Sequence, residues 1–266
     1  MSVPVRSVVY LACLFTFMSF SPDQQAQELT FGGVASGKTR VLDLSYAISD
    51  KLVPWPGDAS WFAAKTNATV ERDGYFTRSF WMLEHYGTHL DAPIHFPPGK
   101  MTVDQIPAKK LFGPAVVFDV RTEAGKDADY QLTTGKVADW ERKHGRVPEG
   151  AIVLLRTGWT TRWPDVQRYR NSDAQGKMHF PGYSAAAAKV LLERGVSGLG
   201  SDTLSADPGN SGDFPVHHLV LGAGVYLLEN LTDLSEVPET AAFLVVAPIK
   251  LEGGSGGPVR VFALLP

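Results

Sequence analysis

Three of the seven histidines and one carboxylate of this 266-residue chain fall within His85-Tyr86-Gly87-Thr88-His89-Leu90-Asp91-Ala92-Pro93-Ile94-His95-Phe96. Imidazole and carboxylate are the groups that hold zinc or manganese, so the string predicts a centre for a divalent cation. Such an ion acidifies water and polarises a substrate carbonyl. In an extended strand, His85 and His89 would stand roughly 13 Å apart, too far for two ligands of one ion with bonds of about 2 Å. The backbone must therefore turn between them. Gly87 supplies the freedom for that turn, and Pro93 stiffens the path from Asp91 to His95. A helix fits poorly, because at 100° per residue the four groups fall into two sectors and Gly and Pro both weaken it. The structural alternative is a polar strand edge carrying unrelated histidines.

The string resembles the H-x-G-T-H-x-D-x-P-x-H-F signature of the cyclase family of metal-dependent hydrolases, whose members include isatin hydrolase and bacterial kynurenine formamidase. Every fixed position matches. Further matches follow in order: Asp43-Leu44-Ser45, Trp55-Pro56-Gly57-Asp58, Leu155-Arg156-Thr157-Gly158-Trp159, the segment from His217 to Leu231, and Ser255-Gly256-Gly257-Pro258-Val259-Arg260. The resemblance spans residues 41 to 264. It implies a swivelling β/β/α layered single domain of the α/β class, with strand-rich mixed sheets, and an assembly that is a homodimer or larger.

The resemblance also implies roles. His85, His89 and Asp91 are the expected ligands of a first ion, with His217 and Glu229 completing a one-ion or two-ion arrangement of Mn or Zn. His218 competes with His217; the twelve residues from His217 to Glu229 match the family pattern. His95 is the expected acid/base, since an imidazole titrating near pH 6.5 can take a proton from water and give it to a departing nitrogen. The other reading makes His95 a further ligand. Trp55 is the expected substrate contact. Trp81 reads equally as core, and Ser205 and Asp207 either flank the site or only hold a turn.

The expected activity is hydrolysis of the C–N bond of an aromatic or cyclic amide, as in isatin hydrolase, with arylformamidase activity on N-formylkynurenine as the competing substrate reading. A third reading is an exported metal-binding or ligand-binding protein without turnover, but no signature position is damaged. No Gly-x-Ser-x-Gly elbow supports a serine hydrolase.

Elements able to position these groups can be read from the remaining pattern. With 44% hydrophobic and 20% charged residues, the chain can bury one full core. A net charge of -3 offers no footprint for nucleic acid and favours a small-molecule partner. Residues 1–26 read as a signal peptide: Arg6 precedes an apolar run from Val8 to Phe20, too short for a stable membrane anchor. Removing that segment removes Cys13, the one cysteine, and predicts a secreted or periplasmic protein without disulfides. Residues 27–39 form a polar lead, and 40–266 the hydrolase domain. Within it, strands are expected at 41–46, 77–85, 115–120, 151–156, 196–200, 222–229, 242–250 and 259–265. Helices are expected at 134–144 and 184–194, the second capped by Ser184 and followed by Gly195. His144 belongs to a charged helix end, and His179 to a loop.

Overall fold

A computed structural model describes residues 31–57 and 61–266 of the chain. The signal peptide, Cys13, the first residues of the polar lead and Asp58 lie outside the described residues. Among those described, no helix is long and apolar enough to cross a membrane.

Among the described residues, twelve strands form in chain order: β1 (Arg40–Asp43), β2 (Phe62–Ala68), β3 (Thr77–Met82), β4 (His89–Asp91), β5 (Phe112–Asp119), β6 (Gln131–Leu132), β7 (Ile152–Arg156), β8 (Gly182–Tyr183), β9 (Gly198–Ser201), β10 (Tyr226–Glu229), β11 (Phe243–Pro248) and β12 (Gly256–Leu265). The main sheet runs β1-β12-β11-β5-β7-β9-β10-β4, and β4 also pairs with β12. That last pairing closes seven strands into a mixed barrel, with β1 appended outside the ring. Closure leaves the site-bearing β4 no free edge.

Alternation along the strands builds two cores. On β5 and β7, Ala115, Val117, Ile152 and Leu154 point inward to meet Leu90, Leu228 and Val261 within the barrel. Val116, Phe118, Val153 and Leu155 point outward against the helices Thr134–His144, Ala185–Glu193 and Pro215–Gly222, joining Val137, Leu191 and Val220. Period-two side-chain placement thus yields the sheet, sheet and helix layers of the expected α/β fold. The β2–β3 hairpin and the short parallel β6–β8 pair are separate two-stranded sheets.

The first two helices match expectation. Thr133 caps Thr134–His144 by accepting from the Lys136 N–H, and Ser184 caps Ala185–Glu193 by accepting from Ala187. The strand expected at 222–229 is corrected: the helix Pro215–Gly222 runs into its start, Gly224 turns at φ 76°, and pairing begins at Tyr226. The strand expected at 77–85 ends at Met82, which leaves His85 in a turn.

Candidate active site

The turn forced by the histidine spacing is present. Gly87 adopts φ 70°, a backbone conformation that L side chains rarely take, and a Cβ there would also displace the tip of Leu52, 2.6 Å away. Asn230 Nδ2 donates to the Gly87 carbonyl at 3.1 Å, and Thr88 Oγ1 donates to the Asn230 carbonyl at 2.7 Å. These bonds fix the turn against the residue that follows Glu229.

Beyond the turn, β4 enters the barrel wall between β10 and β12. Leu90 points into the barrel, so His89 and Asp91 share the opposite face. Register then completes the set: His89 lies opposite Glu229 on β10, and Asp91 lies opposite Leu227, a member of the helix-side core. His217 arrives from the helix Pro215–Gly222 on that side. His89, Asp91, His217 and Glu229 are all buried, at 3%, 1%, 4% and 5% exposure.

Their polar atoms converge. His89 Nε2 is 3.2 Å from Asp91 Oδ1 and 3.5 Å from Glu229 Oε2, and His217 Nε2 is 3.4 Å from Asp91 Oδ2 and 3.2 Å from Glu229 Oε1. Asp91 Oδ2 is buried, with no hydrogen-bond partner among the described residues. A buried, unpaired carboxylate oxygen is costly unless a cation faces it, so the donor set fits a divalent metal. His89, Asp91 and Glu229 form one potential ligand group; His85, Asp91 and His95 form another, sharing Asp91. His85 Nδ1 is 2.6 Å from Asp91 Oδ1.

The histidines are oriented from behind. The Gly87 carbonyl is 2.9 Å from His89 Nδ1, and Asp207 Oδ2 is 2.6 Å from His217 Nδ1, so Nε2 of each ring faces the cluster. Asp207 also accepts from the backbone N–H groups of Val216 and His217, tying the helix start to the same carboxylate. This exceeds holding its own turn. Glu229 Oε1 accepts from the Ala206 N–H at 2.9 Å, while Ser205 lines the cavity.

The electrostatics follow from burial and neighbours in the metal-free protein. Burial opposes the charged form of His89, but Asp91 and Glu229 outweigh it and raise its pKa to about 9. His217 is raised well above its usual value, since Asp207, Asp91 and Glu229 overcome the same desolvation. Asp91 is held well below the carboxylate range despite burial, by His89, His217 and His85. His95 goes the other way: burial lowers it to about 4, only partly offset by Asp91, and the neighbouring imidazoles add to the drop.

A cavity of about 600 Å³ opens over the cluster and is lined by Trp55, Phe96, Phe214, Leu204 and the site histidines. Trp55 and Phe214 lie 6.0 Å apart by ring centroid, and the His95 ring stacks on His85 at 3.8 Å. The structure therefore assembles His85, His89, Asp91, His95, His217, Glu229 and Trp55. His218 is exposed, which favours His217. Trp81 is 51% exposed, so the core reading fails for it. His179 pairs with Asp129 and His144 with Glu239, both away from the cavity lining. Sequence reasoning did not single out Glu84, Phe214 or Asn230 as cavity residues.

Comparison with known proteins agrees with this geometry. A family model described as Putative cyclase matches residues 42–208. Isatin hydrolase of Roseibium aggregatum is 35% identical over 206 residues, covering 74% of this chain and 78% of that protein. Kynurenine formamidase of Salinibacter ruber is 30% identical over 224 residues, covering 83% and 95%. A crystal structure of an isatin hydrolase bound to the product analogue thioisatinate superposes with a TM-score of 0.83 at 28% identity, covering 92% and 99%. The fold and the clustered imidazoles and carboxylates define a metal-dependent hydrolase. The chain belongs to the cyclase family of such enzymes.

Proposed function

We propose that this hydrolase cleaves the C–N bond of a cyclic or aryl amide of the isatin kind. The observation that carries the reading is the buried Asp91 Oδ2 set behind His89, His217 and Glu229, which line a cavity walled by Trp55, Phe96 and Phe214. The converging imidazoles and carboxylates suit a divalent cation, and the walls suit a flat aromatic ring. His89, Asp91, His217 and Glu229, with His85 at the edge, would hold the ion, one or two of Mn or Zn. When bound, it supplies acidified water and a polarised carbonyl.

The chain's own residues handle the proton. Burial keeps His95 neutral at pH 7, so its imidazole is ready to accept. Water oxygen bonds to the amide carbon while His95 takes the water proton. The C–N bond then breaks, its electron pair stays on nitrogen, and His95 returns the proton there. Trp55 and Phe214 orient the ring and exclude water.

Similarity to isatin hydrolase at 35% identity supports a cyclic substrate, whereas the kynurenine formamidase relatives support N-formylkynurenine. Turnover of both compounds by metal-loaded protein tests the reading: faster opening of isatin is expected, and hydrolysis of N-formylkynurenine alone would replace the substrate assignment. Hydrolysis of neither would overturn it.

We further propose export, with residues 1–26 removed, and self-association. The hairpin supports the second point: Tyr75, Phe76, Phe80 and Trp81 are all more than half exposed, and adjacent Phe80 and Trp81 occupy opposite faces of a two-stranded sheet. Sedimentation of the full-length and 27–266 chains and N-terminal analysis of exported protein test these points. A monomer, or an intact N-terminus, would contradict them.

A further inference from the structure

His85 differs from the other histidines of the cluster in which nitrogen it offers. His89 and His217 face the site through Nε2, whereas His85 places Nδ1 2.6 Å from Asp91 Oδ1 and turns Nε2 away, 2.9 Å from Ser255 Oγ. The reversal has a cause beyond the ring. Glu84 Oε2 accepts from the Ser255 backbone N–H at 2.8 Å, from the Gly256 N–H at 3.3 Å and from the Ser255 hydroxyl at 2.6 Å. A carboxylate can only accept, so the single Ser255 hydroxyl proton is committed to Glu84. Towards His85, Ser255 Oγ can then act only as an acceptor. Nε2 must carry the proton, and in the neutral ring Nδ1 is a bare lone pair aimed at another acceptor. That 2.6 Å contact is met by a proton on Nδ1 in the metal-free chain, or by a cation that takes the proton's place.

Steric contact fixes the same pose. A Cβ on Gly256 would lie 2.6 Å from His85 Cε1 and 2.5 Å from the Leu90 carbonyl, so the ring rests on a strand that must be bare there. Gly256 is also the register partner of Asp91. One β12 segment thus sets both the distance and the polarity of the His85–Asp91 contact.

We infer that Glu84 and Ser255 form a positioning relay that locks His85 in the Nε2–H tautomer and presents Nδ1 to the metal. The inference rests on the proposed metal-dependent reading, but the relay acts on the metal-free chain. Glu84 and Ser255 are positioning residues, since they act through His85. In Glu84→Gln, the amide can donate to Ser255 Oγ. That frees the hydroxyl to donate to Nε2 and allows the opposite tautomer.

The test is long-range 1H–15N correlation on metal-free, 15N-histidine-labelled full chain, with the His85 signals assigned by difference from His85→Gln. The expected result is a protonated Nε2 on His85 in the wild type and growth of the Nδ1–H form with bare Nε2 in Glu84→Gln. Calorimetric titration with Zn2+ should show affinity lower by about 10–100-fold in Glu84→Gln and in Ser255→Ala. A bare Nε2 in the wild type, or Glu84→Gln protein with unchanged tautomer and Zn2+ affinity within about twofold of wild type, would overturn the relay. Wild-type protein with protonated Nε2 that takes up no metal would count against the proposed hydrolase instead.

Discussion

The two sides of the metal cluster are built on opposite principles. On the closed side, His89, Asp91, His217 and Glu229 are nearly inaccessible, and backbone groups or Asp207 restrain both imidazoles and Glu229. On the open side, His85 and His95 are part-exposed and stacked, beside Glu84, Ser255, Trp55 and Phe214 around the cavity. The closed side concentrates charge where water cannot screen it, and the open side keeps the neutral His95 imidazole, the proposed acid/base, beside the cavity. A site that must hold a cation tightly and still move a proton separates the tasks in this way.

Substitutions on the two sides should therefore fail differently. Asp91→Ala removes the group shared by both ligand clusters. It should abolish metal uptake and hydrolysis together, as read by elemental analysis and turnover; retained metal would erase the distinction between the sides. His95→Ala should lower kcat by about 10²–10⁴-fold while metal content stays near wild type. Loss of metal in that variant would move His95 into the ligand set. Asp207→Asn should weaken metal affinity by about 10–100-fold, because it loosens both the His217 ring and the helix start that carries it.

pH sharpens the contrast. In the metal-free protein the folded pKa of His89 is about 9, above its usual 6.5. The resulting stabilisation is fully present below pH 6.5 and is lost as pH rises through about 9. Metal binding requires the neutral ring, so the rise in Tm on adding metal should be larger at pH 9 than at pH 6.5. His95 titrates near 4 and should contribute nothing to that difference. A Tm increment independent of pH would contradict the assignment of His89 as a ligand. The smallest effect is expected far from both sides: Phe80→Ser should change monomer stability by less than about 0.5 kcal/mol, measured by denaturant melting at low protein concentration.

Legibility in the sequence followed locality. Thr134–His144 and the Ser184-capped helix were readable because caps and period lie within a few residues. The His85–His89 turn was readable for the same reason. The apolar run after His217 was not, since a buried helix end and a buried strand look alike; Gly224 divides them. Strand β12 begins three residues earlier than its β-branched stretch because Gly256, Gly257 and Pro258 pair with β4, residue types that do not read as strand. Glu84 and Phe214 carried no motif of their own, and Asn230 belonged to a matching segment without a role assigned to it. Their roles arise from pairing between segments some 140 to 170 residues apart, which no local pattern records.

The central claim is that one cation sits among side chains from β4, β10 and the helix Pro215–Gly222. Anomalous diffraction at the absorption edge of the bound metal tests it most directly. The account predicts a peak within about 2.0–2.2 Å of His89 Nε2, His217 Nε2 or both, with Asp91 and Glu229 oxygens beside it. Metal-loaded crystals with no peak among these four residues would contradict it.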